Sequence, residues 1–176
     1  CAVVAAAGVG VSADAMASWA VAGGGSGPTN AFPCVGKVGH ADGMGGSTFD
    51  CSGTVVGNGM FVLTARHCLD GITDAQNARF ELGGTTYFGF DIMRHPTADI
   101  AIIKLGVMLS DAYQLYCPTG STTGLQFCGV GFGFSSNPGG TATSVWDGIY
   151  GTKRVFYNVI DGPDTGLRGE PTVKYS

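Results

Sequence analysis

The stretch Cys51-Ser52-Gly53-Thr54-Val55-Val56-Gly57-Asn58-Gly59-Met60-Phe61-Val62-Leu63-Thr64-Ala65-Arg66-His67-Cys68 reads as strand, turn, strand, and then a histidine beside a cysteine. Val55-Val56 and Met60 to Leu63 are apolar and partly β-branched, the composition of buried strands. Gly57-Asn58-Gly59 between them signals a hairpin, because Gly and Asn accept the positive φ of tight turns. Cys51 and Cys68 flank the hairpin. A bridge between them would pin the loop that carries His67, and a pinned imidazole suits a catalytic base, which has to stay in hydrogen-bond reach of its partner.

A second stretch, Ala98-Asp99-Ile100-Ala101-Ile102-Ile103-Lys104-Leu105, places an acidic residue at the mouth of an apolar strand, 32 residues after His67. Together the two closely resemble the histidine and aspartate motifs of the trypsin-like (chymotrypsin-fold) serine endopeptidases, of the secreted bacterial type. One departure is Arg66, where that family usually has a small residue. The resemblance implies an all-β chain, a chymotrypsin-like double β-barrel. It makes His67 the general base and Asp99 the buried carboxylate that orients it. It also implies protein or peptide substrates and no cofactor. On the residues alone, Asp99 is equally readable as the cap of a turn before a strand.

Composition agrees with that reading. The 176 residues suit one domain or two small halves, and 44% hydrophobic against 12% charged residues can bury a core. The 31 glycines are spread among apolar runs, as many short strands and tight turns require. Net charge is −4 with no basic cluster, which argues against nucleic acid as a partner. Six cysteines without a Cys-x-x-Cys pair favour disulfides in an oxidising, extracellular setting over zinc or redox chemistry. Oligomeric state is not legible.

Residues 1–20 open on an apolar run too short to span a membrane, which predicts a secretory-signal remnant and no stable membrane anchor; the run is also readable as an ordinary buried strand or short helix. Val21-Ala22-Gly23-Gly24 resembles the family's mature start, and is equally readable as a linker. The peptidase domain is expected over 21–176, with a first barrel over about 21–108 and part of a second over about 116–176. In outline, residues 40–50 are expected to be a surface loop, Arg79 to Phe90 a hairpin, and Asp91 to Arg94 a strand ended by His95-Pro96. Further strand is expected over Leu125 to Gly133, at Val145-Trp146 and over Ile149 to Ile160, with a loop over Asp161 to Glu170.

The family's serine lies in Gly-Asp-Ser-Gly-Gly, and no such motif occurs here. Ser26 precedes the histidine, Ser135 and Ser136 lack flanking glycines, and Ser52 sits where the family uses serine structurally. The expectation is a chain cut before its nucleophile, proteolytically silent and aggregation-prone by itself, since only closure removes a barrel's edges. The rivals are a protease homologue that serves as a binding module and a purely structural barrel. His40 and His95 stand alone, which argues against a metal site. Cys34, Cys117 and Cys128 have several possible pairings.

Overall fold

The computed structural model describes residues 2–4, 27–28, 30–113, 123–124, 126–132, 151–165 and 171–174. In chain order the strands are β1 (Ala2–Val4), β2 (Gly27–Pro28), β3 (Val35–Ala41), β4 (Ser47–Val56), β5 (Phe61–Thr64) and β6 (Ala78–Leu82). They continue as β7 (Thr85–Arg94), β8 (Ala101–Leu105), β9 (Gln126–Gly131), β10 (Arg154–Val159), β11 (Gly162–Thr165) and β12 (Pro171–Lys174). The molecule is all-β, as expected.

Six strands close into one antiparallel barrel in the order β3-β4-β5-β8-β7-β6. β3 closes it by pairing with both β4 and β6. The interior follows the period of two that a strand imposes. Ala101, Ile103 and Leu105 of β8 are buried, while Ile102 and Lys104 between them are only partly so. Val38, Val55, Val62 and Phe80 complete the core, each fully excluded from solvent. Burying a side chain of this kind stabilises by about 1.5–3 kcal/mol, so this ring of contacts carries the barrel.

Outside the barrel, β9 and β10 pair as an antiparallel ladder, with β1 parallel to β9 and β2 along β10. β11 and β12 form a separate antiparallel pair. Among the described residues this second half does not close.

Several expectations need correction. Residues 42–46 form the exposed loop expected, but its flanks are strand: His40 and Ala41 end β3, and β4 begins at Ser47. The polar residues there face outward while their backbone pairs, so polarity concealed the strand. A bulge between Val38 and Gly39 shifts the register. A Cβ on Gly39 would lie 1.8 Å from the Thr48 carbonyl oxygen, so only glycine fits there. His40 is therefore a strand residue, not a loop residue. From Gly151 onward the strand starts only at Arg154, because Gly151 turns at φ +90° and donates its N–H to the Phe132 carbonyl; Ile149 and Tyr150 lie outside the described residues. Residues 162–165, expected as loop, pair with β12. Val145-Trp146 lies outside the described residues.

Candidate active site

β5 and β8 are neighbours although two strands separate them in sequence, and they run antiparallel with Thr64 opposite Ala101. That register brings the residues just after β5 beside those just before β8. His67 opens a 3₁₀ turn, His67–Leu69, whose Leu69 N–H donates to the Arg66 carbonyl. Asp99 lies two residues before β8.

One carboxylate holds the histidine twice. Asp99 Oδ2 is 2.7 Å from His67 Nδ1, and Asp99 Oδ1 accepts the His67 backbone N–H at 2.9 Å. The Asp99 side chain is 5% exposed and that of His67 18%. An ionised carboxylate can only accept, so the proton belongs on Nδ1 and the lone pair on Nε2. The Cys51–Cys68 disulfide is formed, with a Cα–Cα distance of 6.0 Å. It ties the turn to the middle of β4 rather than to a hairpin end. Cys68 Sγ lies 3.5 Å from His67 Nε2.

The loop that presents Asp99 is internally braced. The His95 N–H donates to the Ile100 carbonyl at 2.9 Å. His95 Nδ1 accepts the N–H groups of Ala98 at 2.8 Å and Thr97 at 3.3 Å. His95 is thus an exposed strand end, as expected, but its ring shapes the loop.

A family model described as Trypsin matches residues 21–154, well over half of the chain. The chain belongs to the trypsin family. A solved structure titled "Structure of GrC" is similar at 18% sequence identity and a TM-score of 0.56, a likeness of fold alone. The match covers 80% of this chain and 66% of that one, so the trypsin-family chain spans less than two thirds of that relative's length. Comparison with curated proteins finds no match.

In this trypsin-family chain, Ser52 is buried at the joint between the barrel and the second sheet. Its carbonyl accepts from Thr64 Oγ1 at 2.9 Å, and its Oγ accepts the Phe132 N–H at 2.9 Å. Two ammonium groups, Lys37 and Lys153, stand 5.7 and 5.6 Å from the Phe132 ring centroid, within cation–π range. Lys153 Nζ also donates to the carbonyl of Phe32, a residue at φ +61°. Burial lowers the Lys153 pKa from the usual 10.5. Cys34 and Cys128 are free and buried. Burial raises both thiols above 9.0, and for Cys34 the Asp111 charge adds to the rise. Tyr113 is raised by burial as well.

Cys51, His67 and Cys68 are the one His/Cys/acid group with metal-ligand spacing among the described residues. Both sulfurs are spent on the disulfide, and a bridged sulfur is not a thiolate ligand. Ser26, Cys117, Ser135 and Ser136 lie outside the described residues. Arg94 reads in the sequence only as the end of a strand. Its one legible signal was a second arginine near the motif pair.

Proposed function

We propose that this chain carries the base half of a serine endopeptidase active site. His67 is the general base and Asp99 orients it. The observation that supports this is the double hold on His67: one hydrogen bond places the backbone and the other aims the ring. With the proton kept on Nδ1, Nε2 takes a serine hydroxyl proton as the oxygen attacks a peptide carbonyl, and Asp99 stabilises the imidazolium that results. The acyl-enzyme forms as the amine leaves with a proton returned from Nε2, and water then releases the acid. The reaction needs in addition a serine nucleophile and oxyanion-hole amides, which the family's Gly-Asp-Ser-Gly-Gly motif supplies. Substrates are proteins or peptides. The disulfide supports a secreted, oxidising setting, with a peptidase domain over 21–176. Residues 1–20 serve as a leader, and its removal takes β1 from its place beside β9.

The test reads the parent gene past codon 176 and assays the full-length protein on peptide substrates. The serine motif, peptidase activity, and loss of activity in a His67→Ala variant are expected. A substituted serine with no activity would mean a non-catalytic homologue that binds proteins. The 176-residue chain by itself is expected to hydrolyse no more than its own His67→Ala variant.

A further inference from the structure

Two arginines cross between the loops that carry His67 and Asp99, one from each side. Arg66, next to His67, directs Nη1 at the carbonyls of His95 and Pro96, at 3.3 and 3.0 Å, on the loop that leads to Asp99. Arg94, at the end of β7 and just before that loop, directs Nη2 at the carbonyls of Leu69 and Ile72, at 2.8 and 2.6 Å. Leu69 belongs to the 3₁₀ turn that His67 opens. Each loop therefore sends a guanidinium to bind carbonyls of the other. A guanidinium has five donors in a rigid plane, which lets one side chain satisfy two carbonyls at once.

The register of β5 and β8 fixes the strand ends, but His67 and Asp99 both lie beyond the paired residues. The ladder alone does not set the spacing of the two loops past that point. We propose that Arg66 and Arg94 form a reciprocal latch that holds the His67 turn against the Asp99 loop, and so are positioning residues for the His67–Asp99 pair. The inference rests on the reading of that pair as base and orienter. It assigns a task to Arg66, where the histidine motif departs from the family's usual small side chain. Its contacts are with the aspartate loop, so the larger side chain is accommodated by reaching across the seam.

Four variants of the full-length protein test the latch: Arg66→Ala, Arg94→Ala, the double variant, and Arg66→Lys. The readouts are exchange with water of the low-field His67 Nδ1 proton by NMR, the split between kcat and KM, and the unfolding midpoint. Each single alanine variant is expected to speed Nδ1 proton exchange and to lower kcat by about tenfold with KM unchanged, since small misplacement of a catalytic group costs rate rather than binding. The double variant is expected to lose less than the product of the two, because both arginines span one seam. Arg66→Lys, with one compact ammonium, is expected to fall between wild type and Arg66→Ala. Unchanged Nδ1 exchange in both folded single variants would overturn the latch, as would a lowered unfolding midpoint with exchange and kcat untouched. Should Arg94→Ala fail to fold, Arg94→Lys replaces it under the same criteria. If the unsubstituted protein has no peptidase activity, the functional reading fails, while the exchange measurement still decides the latch.

Discussion

At Asp99 the two carboxylate oxygens have separate tasks, one on the imidazole and one on the backbone of the same histidine. Replacing the carboxylate with an amide separates those tasks. The substituted side chain would have to turn its NH₂ either toward His67 Nδ1 or toward the His67 N–H. Facing Nδ1, it would donate, force the proton to Nε2 and remove the lone pair the chemistry needs. Asp99→Asn in the full-length protein is thus expected to lower kcat by about 10⁴ while leaving KM nearly unchanged. A loss below about tenfold in steady-state assays would count against Asp99 as the orienting group. Both residues were legible in the sequence because each sits in a specific run, Val-Leu-Thr-Ala-x-His-Cys and Asp-Ile-Ala. Arg94 and the His95 ring were not legible, because their partners are backbone carbonyls and amides, which leave no trace in side-chain identity.

The β4–β5 hairpin shows what local chemistry decides at the level of elements. Gly57 and Gly59 take φ +66° and +88°, the left-handed region that the Gly-Asn-Gly signal predicts. Gly59 has a further constraint that the hairpin does not explain: a Cβ there would lie 2.2 Å from the Leu109 carbonyl oxygen. Leu109 N–H donates to the Gly59 carbonyl, so the segment after β8 packs onto the turn. Gly59→Ala is expected to destabilise by about 1–3 kcal/mol from positive φ alone, with the clash adding to it, measured by urea unfolding. The Cys51–Cys68 bridge spans 17 residues. Removing it in a Cys51→Ala/Cys68→Ala double variant is expected to cost about 3 kcal/mol in the same measurement, by restoring freedom to the unfolded loop. A cost near zero would indicate that β4–β5 pairing alone holds the turn. The hairpin at 57–59 was legible from glycine placement, and that over 79–90 from side-chain alternation. The strand at 47–50 was not, because polar residues on a solvated face resemble a loop until a partner strand is known, nor was that at 162–165, because Gly162-Pro163 reads as a turn signal.

For the whole molecule, the two buried thiols offer a measurement that spans both halves. Cys34 lies at the entry to the barrel and Cys128 in the second sheet, and burial holds both above 9.0. A raised folded pKa contributes stability that is fully present below the unfolded value and is lost as pH rises through the folded one. The unfolded chain releases these protons near 9.0 while the folded chain retains them. Stability is therefore expected to be flat in this respect below about pH 8 and to decline above about pH 9, and a Cys34→Ala/Cys128→Ala variant is expected to lose that decline. Both thiols are expected to resist alkylation at neutral pH in the folded protein and to react on unfolding, read by mass spectrometry. Rapid labelling of the native chain would contradict the burial.

The sequence by itself determined the class of the fold and the hairpin turns, and it singled out the histidine and aspartate proposed as base and orienter. These depend on side-chain period, on glycine's freedom at positive φ and on short motifs. Only the tertiary structure decided that β5 lies beside β8, since strand adjacency across intervening strands is set by how a sheet closes and not by any local preference. That adjacency brings residues 67 and 99 within hydrogen-bond reach and lets Arg66 and Arg94 cross between their loops. It also locates the carbonyls those arginines bind, because backbone acceptors acquire meaning only when a second chain segment arrives beside them.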